Sequence, residues 1–241
     1  MFKFYSSINI GFFLYLFIYL IFPYSAITQT TKFDLRRNLE NSLNSRNLKL
    51  IEESFKNDQS LKITEKLEKI LKDFPDSKWR IKKLKTNNPN EEIFQIKVVG
   101  KKILQGETYT LESNFNYLCS IVNEKISSGT ITNLFTIIRN DNKKIDITFK
   151  IPDKVLTGTK YDIDIILNKP LEEVIIAGGI KAYQDESFLE QEISLEPLVS
   201  GGIFKMTRAP SKTGMQIWAG IIAHPKGIIT FTKSIDIVEK I

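Results

Sequence analysis

The stretch that decides the fold is Gln216–Val238, which reads QIWAGIIAHPKGIITFTKSIDIV. Apolar and β-branched residues fill both halves of this stretch, and the segment AHPKG at residues 223–227 interrupts them. Proline presets the backbone for the first central position of a tight turn, and glycine supplies the positive φ that lets the chain re-enter a sheet. The stretch therefore predicts two antiparallel strands that reverse at the turn.

The turn also holds His224, the only histidine of the chain. A catalytic histidine needs a nucleophile or a carboxylate within hydrogen-bonding distance, and the sequence places neither beside this turn. Cys119 is the only cysteine, so it has no partner for an internal disulfide and no cluster with which to build a zinc site. We therefore interpret His224 as an exposed turn residue and Cys119 as a buried one. We expect no catalytic residue, no metal site and no cofactor.

The part of the chain around this hairpin alternates apolar and polar residues with period two. Ile145–Ile151 and Tyr161–Leu167 are two such segments, and turn residues separate them at Pro152–Asp153. Short strands at a spacing of about 8–12 residues, over about a hundred residues, are typical of a β-sandwich. The sequence predicts an all-β domain, an immunoglobulin-like β-sandwich, over residues 144–241.

Residues 34–140 begin with helical patterns and end with strand patterns. Leu35, Leu39 and Leu43 form one helical stripe, two further helical segments follow, and the period changes to two from Trp79 onwards. Four antiparallel strands then extend through Ile138. A curved sheet that wraps helices buries both apolar surfaces, so we predict a cone-shaped α+β domain. The predicted fold class is α+β followed by all-β, with the boundary in the polar run at residues 139–144.

The first residues have the pattern of an export signal. Lys3 precedes an apolar run from Ile10 to Phe22, and Pro23 ends that run. A signal-peptide core needs about 7–15 apolar residues, whereas a bilayer span needs about 20. We predict that residues 1–26 are a signal peptide, and an uncleaved anchor stays open as the alternative. The expected location is the periplasm or the thylakoid lumen, or a membrane anchor that faces that compartment.

The mouth of the predicted cone is the candidate ligand site. Trp79, Tyr109, Glu112 and Tyr117 would line it, and the alternative is that Phe94, Phe115 and Leu118 fill it. Glu112 and Tyr109 would supply general acid–base chemistry there. The two residues are three positions apart, so a regular strand sends them to opposite faces and a bulge would be needed.

Two parts of the chain resemble known families. The run from Leu35 to Arg139, with LRRNLENSL, SKWRIKKLK, EIFQIKVVG and ETYTLESNF, resembles a nuclear-transport-factor-2-like, cystatin-type cone domain. The run from Ile145 to Val238 resembles the immunoglobulin-like tail of exported two-domain proteins from photosynthetic bacteria. The first resemblance implies a fold that also occurs in isomerases and dehydratases, whose pockets use Asp, His or Tyr. Fold likeness alone does not confer their activity.

Three functions are compatible with these features. The leading prediction is a non-catalytic exported binding or assembly protein of the cell envelope, which takes a small apolar ligand or a protein partner. The alternative is an isomerase- or hydrolase-like enzyme that uses the cone pocket. The third is attachment to an anionic surface through Lys82, Lys83 and Lys85, since the net charge is +6. The lysines are otherwise spread among acids, so we expect no nucleic-acid partner, and membrane contact only through an uncleaved leader.

Overall fold

The computed structural model describes residues 34–56, 67–88, 91–141, 145–168, 175–183, 192–199 and 201–240. The chain divides into two compact units, Met1–Phe33 and Asp34–Ile241, and the second is described below. The predicted signal peptide, residues 1–26, lies outside the described residues and stays a prediction. None of the helices in the described ranges has the length and apolar character of a membrane span.

In the parts of the chain that the structure describes, three helices come first, and they are α1 (Leu35–Ser45), α2 (Leu48–Glu53) and α3 (67–73). The side chain of Asp34 caps α1 by accepting a hydrogen bond from the backbone N–H of Arg37 at 3.1 Å, and Asn47 caps α2 in the same way. Arg46 ends α1 in the left-handed conformation, with φ 57°. Helices therefore form at the leucine stripe and at the helical segment that follows it, and the chain bends between them at Arg46 and Asn47.

Twelve strands follow in the described residues, and they are β1 (Lys78–Leu84), β2 (Glu91–Leu104), β3 (Glu107–Val122), β4 (Lys125–Asn140), β5 (Ile147–Lys150), β6 (Lys154–Leu156), β7 (Lys160–Leu167), β8 (Ala177–Tyr183), β9 (Glu196–Pro197), β10 (Gly202–Arg208), β11 (Gly214–His224) and β12 (Gly227–Val238). A large sheet has the order β1-β2-β3-β4-β12-β11-β8-β9, with β6 parallel to β12. A small sheet has the order β10-β7-β5. The described fold is mostly antiparallel β-sheet with few helices.

Two hydrophobic cores lie on opposite faces of the large sheet. The helix-side core packs α1 and α2 against β1, β2 and β3, with Leu39 and Phe94 among its buried residues. The inter-sheet core lies between the large and small sheets and includes Phe231 and Ile163. Strand β4 contributes to both cores, because Ile138 packs against the helix-side core and the preceding Ile137 belongs to the inter-sheet core. Successive residues of a strand point to opposite faces, so one strand supports two layers.

The large sheet continues across the predicted domain boundary. Strand β4 pairs with β12, and Ile137 lies opposite Phe231 in this pairing. The polar run after β4 therefore does not interrupt the sheet, and β4 contributes residues to the cores on both of its faces. The division into residues 34–140 and 144–241 stays a prediction.

The predicted hairpin is confirmed and lies at the middle of the large sheet. Strands β11 and β12 pair from Gly214 opposite Ile237 to His224 opposite Gly227, so Pro225 and Lys226 form the turn. Gly227 has φ 132°, a conformation that favours glycine. Because β12 also pairs with β4, the hairpin joins strands β1 to β4 to the remaining strands of the large sheet.

Candidate functional site

Three of the four residues predicted to bind a ligand lie on the helix-facing side of the large sheet. Trp79 is buried, and its indole N–H donates a hydrogen bond to the Ser77 hydroxyl at 3.2 Å. Tyr117 is 9% exposed, and its ring lies over Gly129, where an added Cβ would come within 2.2 Å of the ring. Tyr109 is half-buried and shares the face of Tyr117, because an even number of positions separates them.

Glu112 lies on the opposite face of the same strand. The pairing of β3 with β2 is regular from Glu107 to Ser120, so no bulge brings Glu112 round to the side of Tyr109. The Glu112 carboxylate instead accepts a hydrogen bond from Arg139 at 2.7 Å, in an ion pair that is partly exposed. The structure therefore does not bring the predicted acid–base pair, Glu112 and Tyr109, into one pocket.

The interior between these aromatic residues is packed. Phe94 is fully buried beside Tyr117, and Phe115 packs against the same core. Leu118, which was predicted to fill the interior with them, lies on the opposite face of β3. Within the described residues, the Tyr117 hydroxyl has no hydrogen-bond partner. Burial raises the pKa of Tyr117 to about 12, and the nearby Cys119 adds to the shift. Tyr117 is therefore a neutral, packed side chain at physiological pH.

Cys119 is buried on the same face and is held as a thiol. Burial raises its pKa to about 12, Glu92 raises it further, and Lys83 opposes the shift. The thiolate is the reactive form of cysteine, so a raised pKa suppresses reaction. We expect a thiol reagent at pH 8 to modify native Cys119 on the order of a hundredfold more slowly than the unfolded chain. Equal rates in native buffer and in guanidinium would contradict this burial.

The same shift predicts how stability depends on pH. The folded-state pKa of Cys119 is raised above its ordinary value of 9.0, so the unfolded chain releases this proton first as pH rises. The contribution of Cys119 to the free energy of unfolding is complete below pH 9 and is lost between pH 9 and about 12. Urea titrations at pH 8 and pH 10.5 should show this loss, and Cys119→Ala should reduce it. An unchanged pH slope in the variant would refute the assignment.

His224 lies at the end of β11 and is half-buried, which differs from the full exposure that the sequence predicted. Its ring nitrogen Nδ1 accepts a hydrogen bond from the backbone N–H of Lys226 at 2.9 Å, so the side chain stabilises the turn. Across the described ranges, no group of three or more His, Cys, Asp or Glu side chains is placed to hold a metal ion.

Side chains of α1 cover the free edge of β1. Asn44 accepts a hydrogen bond from the backbone N–H of Trp79 and donates one to its carbonyl oxygen, both at 2.9 Å. One turn earlier, Glu40 accepts from the N–H of Ile81 at 2.7 Å, and Arg36 donates to the carbonyl of Ile81 at 3.1 Å. These contacts reproduce the bonds that a further strand would make at Trp79 and Ile81, so this part of the edge is closed to other chains.

The edge of the small sheet at β10 is open among the described residues, because no described strand pairs with its side away from β7. Leu167 donates to the carbonyl of Gly201, and Ala209 donates to that of Thr159, so the odd-numbered residues of β10 bond to β7. The backbone groups of Phe204 and Met206 consequently point away from β7, and no described backbone group bonds to them. Their side chains are 54% and 67% exposed. Sequence reasoning missed this site, because an apolar residue on an edge strand has the same local pattern as one in a core.

Comparison with known proteins identifies one similarity. Residues 142–238 match a family described as a domain of unknown function (DUF8623). No curated protein matches the chain. The matched region begins just after β4 and covers strands β5 to β12, which include the open edge. The match covers less than half of the chain and brings no assigned activity.

Proposed function

We propose that this chain is a non-catalytic binding protein of the cell envelope that takes a protein partner on strand β10. The observation that carries the proposal is the contrast between two edges. Asn44 and Glu40 close the edge of β1 at Trp79 and Ile81, whereas the outward backbone groups of β10 bond to no described backbone group and lie beside two exposed apolar side chains. An extended segment of another chain adds to such an edge through backbone hydrogen bonds, and side-chain contacts give it specificity.

The state of the reactive residues supports a non-catalytic role. Cys119 is buried with a raised pKa, and the Nδ1 atom of His224 is engaged in its own turn. Glu112 and Tyr109 lie on opposite faces of β3, which weakens the alternative of an isomerase- or hydrolase-like enzyme in the cone. A small apolar ligand among Trp79 and Tyr117 is the less favoured binding partner, because both side chains are packed in the helix-side core.

We infer two finer features of the architecture. Residues 34–140 form a nuclear-transport-factor-2-like cone, and the helices that pack on one face of β1 to β3 support this. Residues 144–241 form an immunoglobulin-like sandwich, and the inter-sheet core between the large and small sheets supports this. The location outside the cytoplasm rests on the sequence of residues 1–26.

The proposal is tested by placing a photo-crosslinking amino acid at Phe204 in the full chain, expressed in its own host. Val122 is an exposed hairpin residue far along the sequence and serves as the control position. We expect a protein adduct at position 204 that is absent at position 122. Crosslinking at both positions to the same proteins, or at neither, would overturn the proposal.

The second part of the test adds Met206→Pro to the chain that carries the crosslinking amino acid at position 204. The backbone N–H of Met206 points away from β7, so proline there removes a donor from the open edge and leaves the ladder to β7 intact. We expect at least a tenfold weaker adduct, since loss of a backbone hydrogen bond is combined with steric exclusion of the incoming strand. An unchanged adduct in a variant that keeps its melting temperature would contradict binding at this edge.

A further inference from the structure

Strands β1 and β2 present a row of cations on the side of the large sheet that faces away from the helices. Trp79 and Ile81 point into the helix-side core, so the residues that alternate with them point outward. We call this surface the basic face, and its cations, all exposed, are Lys78, Arg80, Lys82 and Lys97. Lys83, by contrast, lies on the other side and pairs with Glu92, so it does not belong to the surface.

The cations of the basic face have no acidic partners among the described residues. Arg80 lies directly opposite Lys97, and Lys82 lies opposite the neutral Gln95. On the same side of the sheet, Glu112 of the third strand is engaged by Arg139, and Lys101, the next outward cation of β2, is paired with Asp141 and is not counted in the basic face. Like charges directly opposite each other destabilise a sheet, so the arrangement carries a cost to folding.

Protection of the sheet edge does not account for this cost. Exposed lysines on an edge strand commonly prevent pairing with other chains. In this protein, however, Asn44 and Glu40 already close the edge of β1. The cations are therefore not needed to protect this edge. A role in binding explains their position better.

Apolar side chains on the same face indicate the kind of partner. Val99 follows Lys97 on the outward side of β2, and it is half-exposed. Ile103 lies four residues further along on the same side of β2 and is 75% exposed. Cations beside protruding aliphatic side chains are the chemistry of proteins that bind at the surface of an anionic bilayer.

We propose that the basic face docks on a lipid bilayer with anionic headgroups. The four cations contact the headgroups, and Ile103 enters the interfacial region. This surface is distinct from the open edge of β10, so the two binding functions are independent. It also differs from the cluster that the sequence suggested, because Lys83 points away and Arg80 and Lys97 replace it.

The test is sedimentation of the full chain with vesicles of phosphatidylcholine, with and without 30% phosphatidylglycerol. A basic residue close to an anionic bilayer strengthens binding about fivefold, so Arg80→Gln with Lys97→Gln should weaken it about twentyfold. Raising the salt concentration from about 0.1 to 0.5 M should release the wild type. Equal binding to both vesicle types, or to neither, would overturn the proposal.

Matched variants separate the basic face from net charge. Lys49→Gln with Lys72→Gln removes the same charge from exposed positions on the helices, which pack on the other side of the sheet, and we expect a change below about twofold. An equal loss in both double variants would overturn the proposal. Melting temperatures within a few degrees of the wild type show that the variants are folded.

An acidic polypeptide is the other ligand with suitable charge, and polyglutamate is its probe. Ile103→Ser should weaken vesicle binding several-fold, because it removes the aliphatic group that enters the interface. Binding to polyglutamate with none to anionic vesicles would assign the basic face to an acidic protein and overturn the lipid assignment. Unchanged vesicle binding in Ile103→Ser would also overturn the lipid assignment.

Discussion

Replacing Phe231 with alanine should lower the free energy of unfolding by about 3–5 kcal/mol. Phe231 is 3% exposed, and it lies on β12 where the large sheet faces the small one. Its ring stands edge-to-face on Phe149 at 4.9 Å between centroids, and Phe149 makes a similar contact with Phe135. The ring also covers Gly220, where an added Cβ would lie 2.3 Å from it. Truncation therefore leaves a cavity that the neighbouring strands cannot close.

Phe204→Ala is the matched control for this measurement. Phe204 has the same side chain but lies on the exposed surface of β10, 54% accessible to solvent. Urea denaturation should show a change within about 0.5 kcal/mol for this variant. A similar loss of unfolding free energy in both variants would contradict the burial of Phe231 in the inter-sheet core. If Phe204→Ala keeps its stability but binds the partner identified by crosslinking more weakly than the wild type does, the exposed ring acts in binding rather than in folding.

Local sequence patterns predicted the hairpin and most strands of the first half. The turn at Pro225 and Lys226 follows from proline beside glycine, and the two-residue period of β2 follows from Phe94, Ile96 and Val98. Such signals act between neighbours in sequence. They are therefore visible without knowledge of which strands pair.

The joining of β4 to β12 could not be predicted in this way. The two strands are about ninety residues apart, and pairing between them depends on complementary faces rather than on a local pattern. The sequence consequently suggested a boundary where the sheet continues. Ile137 and Ile138 illustrate the ambiguity, because two adjacent isoleucines signal burial on both faces but do not say what covers each face.

The two candidate binding surfaces could not be predicted from the sequence either, because they also depend on which strands pair. Lys82 and Lys83 are adjacent in sequence but lie on opposite faces, and Arg80 meets Lys97 only through strand pairing. Tyr109 and Glu112 were predicted to share a site, and a regular register separates them. A residue's side of the sheet thus decides its role, and that side depends on register.

Replacing Asn44 with alanine should both destabilise the protein and open a second edge. The Asn44 amide makes one hydrogen bond to each backbone group of Trp79, and its loss leaves a donor and an acceptor unpaired at a partly buried position. We expect the free energy of unfolding to fall by about 2–3 kcal/mol in urea titrations. Asn38→Ala, an exposed position on the same helix, is the control and should be neutral or slightly stabilising, because alanine favours helix.

The second consequence of Asn44→Ala distinguishes edge protection from simple loss of a contact. An uncovered edge strand pairs with other chains, so the variant should self-associate at concentrations where the wild type does not. Sedimentation velocity under native conditions measures this difference, and Asn38→Ala should behave as the wild type. A variant that is destabilised but sediments unchanged would mean that Glu40 and Arg36 alone keep the edge closed. Glu40→Gln in the Asn44→Ala background should then produce the association, because it weakens the charged acceptor for the N–H of Ile81.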